Sequence, residues 1–254
     1  MAPRFSVCMV TYQAAKTIRR CFESLLVQLD PRFEVVVVDS ESTNGTLNCL
    51  KELEAEGRIR LLVRKCTRGE GRQIAAENAR GEVLVQQVDA DQMYSSFFQD
   101  AAERYEEEAR KDSDVLVMFV PKQPQPKLGR LSSSAIPSNI SFVSRSAFMS
   151  KTKWPDISRG EDLHVWDPLI REGHYVEANC ISYAQQVKGG MFGILLSALR
   201  AQKQLMDSGF SFRWVVQSTR HHGPLFLGRA FMVSVAWVWH TVERSNSVQS
   251  SSQV

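Results

Sequence analysis

Several features are scarce or missing in this 254-residue chain, and each absence closes off a class of protein. There are five cysteines (Cys8, Cys21, Cys49, Cys66 and Cys180), odd in number and without a Cys-x-x-Cys pair. That argues against a disulfide framework or a zinc site and predicts free thiols, several buried, in a reducing compartment. Charge of one sign is not in excess: the net charge is +3, and no Lys/Arg stripe alternates with aromatic residues, so no nucleic-acid partner is expected. The start lacks a charged-then-apolar leader, and Phe5–Val10 reads instead as a first strand, so secretion is not expected. The Gly-x-Gly-x-x-Gly turn of dinucleotide-binding oxidoreductases is absent too. The turn after the first strand is Thr11-Tyr12-Gln13-Ala14-Ala15, which excludes that class. Internal repeats are also lacking.

The longest apolar run is Leu225–Val242, interrupted by Arg229, Ser234, His240 and Thr241. A bilayer span needs roughly 20 apolar residues, and this run falls just short. Lying in a membrane interface, packing on the rest of the protein and spanning are all compatible with it.

What is present is ordinary globular composition, 43% hydrophobic and 23% charged. Through residue ~120 strand and helix signals alternate. Strands are expected at Phe5–Val10, Phe33–Val38, Ile59–Val63, Glu82–Val88 and Val115–Val120. Helices are expected at Ala14–Leu29, Thr46–Glu56, Arg72–Arg80 and Ser95–Arg110. This rhythm predicts an α/β fold with a mostly parallel sheet and right-handed crossovers. Pro121–Ser134, rich in Pro, Gln and Ser, is expected to be a loop, either over a site or a plain surface connection. Beyond it come a strand at Ile140–Val143, a helix at Asp162–Glu172, a return strand at Tyr175–Tyr183 and an amphipathic helix at Met191–Met206. The tail from Ser245 has a disordered composition.

The most informative motif is Val88-Asp89-Ala90-Asp91, where a strand ends. Residues two apart on a strand share a face, so both carboxylates can converge on a hard divalent cation and the diphosphate it would hold. A second acidic pair, Glu161-Asp162, opens a helix. It offers either a general base or simply negative charge suited to a helix start. Tyr12 is either a flat face for a nucleobase or core filler. Asp39 either accepts from a base N–H or caps a turn, and Arg72 either meets a phosphate or base or lies on a solvated helix face.

Four blocks stand in order: Val10-Thr11-Tyr12-Gln13, then Val37-Val38-Asp39-Ser40-Glu41-Ser42-Thr43-Asn44-Gly45-Thr46, then Gly71-Arg72-Gln73-Ile74 leading through Ala79-Arg80-Gly81-Glu82 to Asp89-Ala90-Asp91, and Gly160-Glu161-Asp162. Together they resemble the inverting glycosyltransferases of family 2, with the GT-A fold, over roughly residues 4–185. The resemblance implies a catalytic domain over 1–185, with a nucleotide-sugar-binding half at 1–120 and an acceptor-binding half at 121–185. A helical extension at 186–244 that can associate with a membrane, and the tail at 245–254, would follow. It implies Thr11, Tyr12 and Asp39 in the base pocket, which favours uracil, with Arg72 on the donor phosphate or base. Asp89 would stand near ribose and metal, with Asp91 as direct ligand to Mg²⁺ or Mn²⁺. Asp162 would be the general base, with Glu161 orienting it or touching the acceptor.

The expected reaction is transfer from a nucleotide sugar, most simply a UDP-sugar, to an acceptor hydroxyl on a glycan or lipid-linked glycan. The setting would be cytoplasmic, peripheral on the inner face of a membrane. A polyprenyl-phosphate sugar synthase and a non-catalytic nucleotide-sugar binder are the alternatives. The chain departs from the family at Val10 (usually Pro), Gln13 (Asn), Ser40 (acidic), Glu41 (Gly) and Gln73 (Asn). Where the family often has a metal-binding His, Tyr183-Ala184-Gln185-Gln186 stands instead, leaving Gln185, Gln186, His221 or His222 as candidate third ligands.

Overall fold

The computed structural model describes residues 2–111, 117–120, 140–157, 161–171 and 175–177, with residues 212, 234, 235 and 237. The expectations for the 121–134 loop, the 191–206 helix, Gln185, Gln186, His221, His222, the tail and most of 225–242 lie outside these residues.

Seven strands among the described residues form one sheet: β1 (Phe5–Thr11), β2 (Phe33–Asp39), β3 (Arg60–Val63), β4 (Val83–Asp89), β5 (Val117–Val120), β6 (Ile140–Ser144) and β7 (Tyr175–Glu177). Their order is β3-β2-β1-β4-β6-β5-β7. All run parallel except β6, which lies antiparallel between β4 and β5. The helices are α1 (Ile18–Leu26), α2 (Thr46–Ala55), α3 (Arg68–Asn78), α4 (Phe98–Lys111), α5 (Arg145–Lys151) and α6 (Glu161–Arg171). This is the mostly parallel α/β architecture that the sequence predicts.

The two faces of the sheet bury separate cores. On one, Phe5, Val7, Met9, Val35 and Val37 pack with Phe22 and Leu25 of α1, Leu50 of α2 and Phe98 of α4. On the other, Cys8, Val36, Val38 and Leu84 pack with Ala75 and Ala76 of α3, Phe148 of α5 and Trp166 of α6. Alternate residues of β1 and β2 divide between the faces, as a period of two requires.

In β4 that alternation is interrupted. The ladder to β1 runs Val7↔Val85 and then Met9↔Val88, so β4 carries one extra residue there. Gln87 takes up the bulge with φ of 65°, and its Oε1 accepts from Trp166 Nε1 at 2.9 Å. Val88 consequently joins Val83 and Val85 on the α1 side. Asp89, paired with Val10, emerges on the α3 side.

Helix α3 begins a turn before the expected Arg72, because Thr67 caps it: its Oγ1 accepts from Glu70 N at 3.2 Å. The glycines that make this stretch look non-helical serve close packing. A Cβ on Gly69 would lie 1.8 Å from the Pro155 carbonyl oxygen, and one on Gly71 would lie 2.9 Å from Val10 Cγ1. Helix α5 has no counterpart in the expected elements; Ser144 caps it, its Oγ accepting from Ala147 N at 3.5 Å.

By its contacts the chain divides into two compact units, Met1–Pro124 with Ile136–Gln186, and Gln125–Ala135 with Val187–Val254. In the second unit the rings of Phe212 and Trp237 lie 5.6 Å apart. Among the described residues, no helix is long and apolar enough to cross a membrane.

Candidate active site

The carboxyl ends of β1, β2 and β4, together with the segment after β3, open into a cleft of about 710 Å³. Ligands of open α/β sheets bind at this edge. Thr11, Tyr12, Arg72, Asp89 and Asp91 line it, so five of the eight expected site residues meet in one place.

Asp91 gets there differently from the expectation. Strand β4 ends at Asp89, and Ala90 and Asp91 form a turn, so the turn rather than strand alternation brings the second carboxylate to the cleft. Ala90 tucks into the α1-side core, which leaves Asp91 exposed at the lip. Cys21 registers both acids: burial pushes its thiol up to about 12, and the charges of Asp91 and Asp89 add to that rise. Its Sγ also donates to the Asp89 carbonyl at 3.6 Å. Tyr94 fastens the same point, its hydroxyl accepting from Asp89 N at 2.7 Å and donating to Asp89 O at 2.8 Å.

Arg72 is buried, and its guanidinium engages both acidic motifs. Nη2 donates to Asp89 Oδ1 at 3.1 Å, Nη1 donates to Glu161 Oε1 at 2.9 Å, and the group lies 4.8 Å from the centre of the Trp154 ring. It therefore joins the two acidic motifs, which lie 70 residues or more apart in sequence. The alternative of a solvated helix face is excluded for this buried residue. Glu161 is nearly buried, and Arg68 Nη1 stands a further 3.9 Å from its Oε1. Asp162 follows it in the first turn of α6 and is half-buried. Neither Glu161 nor Asp162 lines the cleft directly; Arg72 makes the connection.

A short strap, residues 154–157, is held against the start of α3. Gly69 N donates to Ile157 O at 2.9 Å, Thr67 Oγ1 to Asp156 Oδ1 at 2.6 Å, and Gln73 Oε1 accepts from Trp154 N at 3.0 Å. Gln73, standing where the family has Asn, thus reaches the strap backbone.

Asp39 lies directly beneath the cleft wall, bonded to the cleft-lining Thr11. It is fully buried and absent from the cleft lining. Its Oδ2 accepts from Thr11 Oγ1 at 2.7 Å and from Ser42 Oγ at 2.8 Å, while Oδ1 accepts from Ser42 N at 2.8 Å. Its bonds to Ser42 are those of a turn cap. Its burial follows from parity: Asp39 continues the Val35-Val37 face of β2, and the next residue, Ser40, turns to the cleft instead. Sequence reading missed Lys65 and Arg68, cations on the cleft wall. The Thr67-x-x-Glu70 cap was the signal that would have placed Arg68 on the first turn of α3, at the same edge.

The acids at the lip suit a divalent cation. Asp89 is partly exposed and Asp91 exposed, and both offer hard oxygen donors. Among the described residues, no group of three or more His, Cys, Asp or Glu is positioned to hold a metal. Two carboxylates suffice where phosphate oxygens and water complete the shell, as Mg²⁺-type sites commonly arrange. The donor set fits.

A mostly parallel α/β sheet with paired acids at its carboxyl edge and a cleft beside them is the arrangement of an α/β enzyme that binds its ligand at the strand ends. The sequence matches the family model for glycosyl transferase family 2 over residues 6–158, more than half of its length. The chain belongs to that family, and it is a glycosyltransferase of the GT-A fold. Among solved structures, a mannosyltransferase from Pyrobaculum calidifontis in complex with GDP-Man and Mn²⁺ is 17% identical, with a TM-score of 0.65 over 100% of this chain and 80% of that one. TarS residues 1–349 from S. aureus, in complex with UDP, is 20% identical, with a TM-score of 0.57 over 90% of this chain and 72% of that one. No curated protein matches.

Proposed function

We propose that the protein transfers a sugar, with inversion, from a nucleotide-sugar donor to an acceptor hydroxyl. The observation that carries this reading is the Asp89–Arg72–Glu161 bridge, which ties a donor-side carboxylate to an acceptor-side one through a single buried guanidinium. Solved structures of similar fold hold UDP, UDP-GlcNAc, or GDP-Man with Mn²⁺, which supports a nucleotide-sugar donor assisted by a divalent cation.

In this reading Asp89 and Asp91 would hold Mg²⁺ or Mn²⁺. When bound, the cation offsets the negative charge that grows on the departing diphosphate. Tyr12, 65% exposed on the cleft wall, gives the base a flat apolar surface to stack on. Lys65 and Arg68 add positive charge for the phosphates. Arg72 and Arg68 pin Glu161, so Glu161 orients the start of α6 while Asp162 takes the proton from the attacking hydroxyl. A phosphate acceptor, already anionic, needs no such base, so the acid pair favours a hydroxyl over a polyprenyl phosphate. A glycan on a lipid carrier reconciles a hydroxyl nucleophile with the apolar 225–242 segment and with peripheral membrane contact.

The test uses the full chain in thermal-shift titrations with nucleoside diphosphates, with and without Mn²⁺. Stabilisation should require the metal and disappear in Asp91→Ala. Asp162→Asn should keep donor binding while losing turnover. Equal stabilisation of wild type and Asp91→Ala would refute the metal site, and full turnover by Asp162→Asn would refute the base.

A further inference from the structure

A row of polar side chains along α1 holds the segment that carries the first acidic pair. Thr17, Cys21, Ser24 and Gln28 recur at helical spacing, three or four residues apart, and so form one stripe, with Thr17 and Gln28 flanking the helix. Each of the four reaches the backbone of residues 89–98. Thr17 Oγ1 donates to Ala90 O at 3.1 Å, shared with Ala14 O at 3.1 Å, and Cys21 Sγ donates to Asp89 O at 3.6 Å. Ser24 Oγ accepts from Tyr94 N at 3.1 Å, and Gln28 Oε1 accepts from Phe97 N at 3.0 Å. Polar groups packed against a core are costly without partners, and here the partners all belong to one loop.

Tyr94 completes the hold from within the loop. Its ring is buried, edge-on to Phe98 with centroids 5.8 Å apart, and its hydroxyl returns to the end of β4. The N–H and C=O of an extended residue point the same way, and a neighbouring strand ordinarily satisfies both. At Asp89 the Tyr94 hydroxyl does so alone, accepting from N at 2.7 Å and donating to O at 2.8 Å. The Asp89 side chain is fixed as well: Oδ1 accepts from Arg72, and Oδ2 accepts from Gln92 Nε2 at 3.2 Å. Asp89 N, Asp89 O and Ala90 O, the backbone groups that lead into Asp91, are therefore all tied down, while Asp91 itself stands exposed at the lip. A cation site built from one strand end and one turn keeps its geometry only if that turn does, and a misplacement of about 1 Å is enough to loosen such a site. Tyr94 does not line the cleft, so any part it plays runs through Asp89.

We infer that Tyr94 is a positioning residue: its hydroxyl, backed by the polar stripe of α1, sets the acidic turn in the geometry that receives the cation before any ligand arrives. The inference rests on the reading above of a nucleotide-sugar donor assisted by a divalent cation.

The test is calorimetric titration of the full chain with UDP and with GDP, in excess Mn²⁺ and without metal, for wild type, Tyr94→Phe, Thr17→Val and Glu34→Gln, with Tm recorded for each. Phenylalanine keeps the ring packing and valine keeps the shape of Thr17, so each removes a hydroxyl and little else. Glu34 bonds Ser6 and Arg80 at the opposite end of the strands, and Glu34→Gln serves as the destabilised control. In Tyr94→Phe, Mn²⁺-dependent nucleotide binding should weaken roughly 10-fold or more, the loss usual when the support of a metal ligand is removed. Binding without metal should stay as in wild type. Thr17→Val should show a smaller loss of the same kind, and Glu34→Gln none. A lowered Tm for Tyr94→Phe with wild-type Mn²⁺-dependent affinity makes the tyrosine merely structural and overturns the inference, and so does equal weakening with and without metal. If Tyr94→Phe does not fold, Thr17→Val decides by the same criterion. Wild-type binding that ignores Mn²⁺ removes the cation site, and this inference with it, but leaves a nucleotide-sugar donor standing. Binding of neither nucleotide in either condition overturns the transferase reading itself.

Discussion

Replacing Arg72 by methionine isolates the bridge between the two acidic motifs. Methionine keeps an unbranched apolar stem against Trp154 and removes only the guanidinium. The two carboxylates it leaves behind differ in surroundings. The Asp89 side chain is 43% exposed and regains water, so its share belongs to the exposed class of ion pair, about 0–1 kcal/mol. The Glu161 side chain is 4% exposed and keeps only Arg68 at 3.9 Å. Stripping one partner from a buried pair costs about 3–5 kcal/mol. With Arg68 compensating in part, a loss of about 3 kcal/mol is expected, or roughly 6–12 °C in Tm for a domain of this size. Adding Glu161→Gln removes the stranded charge, and the double variant should recover to within about 1 kcal/mol of wild type. Urea denaturation followed by tryptophan fluorescence measures this, since Trp154 and Trp166 sit in the affected core. If Arg72→Met costs under about 1 kcal/mol, or if Glu161→Gln fails to rescue it, the guanidinium is not what holds the acid pairs together.

Three further outcomes are expected. Gly69→Ala should cost about 2 kcal/mol and depress turnover, because its methyl meets the Pro155 carbonyl and moves the strap that carries Trp154; urea melts and initial rates check both. Glu34 is the group to follow in acid. Burial alone would raise its pKa, but hydrogen bonds from Ser6 Oγ and from Arg80 N and Nε outweigh this and hold it below its ordinary 4.5. The stabilisation is full above 4.5 and fades as pH falls through the depressed value, so Glu34→Gln should lose about 1 kcal/mol at neutral pH and show a shallower acid limb in melts across pH 2–7. Cys66, half-buried on the cleft wall, should alkylate faster than the buried Cys8, Cys21 and Cys49, and bound nucleoside diphosphate should protect it; peptide mapping by mass spectrometry reads this out.

Most of the architecture is legible in the sequence, because apolar runs such as Phe33–Asp39 and the helix-spaced Ile18, Cys21, Phe22 and Leu25 are local signals. Local signals also mislead. Gly69 and Gly71 resemble breaks, yet they answer to Pro155 and Val10, contacts that no local pattern reveals. The antiparallel β6 and short α5 depend on a chain reversal after β5 and on the Ser144 cap. In the site, the acidic motifs could be picked out as types at an edge, but not the guanidinium that joins them, since Arg72 and Glu161 meet only in three dimensions. The burial of Asp39 depends on which side of β2 it faces and on a serine three residues later, neither of which the local pattern reveals.

The bulge at Gln87 has a bearing on how such enzymes can be re-engineered. Counting by twos from Val83 would send Asp89 into the oily layer against α1; the extra residue resets the count, and the acid surfaces beside α3 instead. A transplant of β4 that straightens this kink at unchanged length would keep every residue of the motif and aim its leading carboxylate into hydrocarbon. A β-branched side chain at position 87, which resists a positive φ, pushes the same way. The phase of one strand, rather than the spelling of the motif, decides whether this carboxylate reaches the cleft at all.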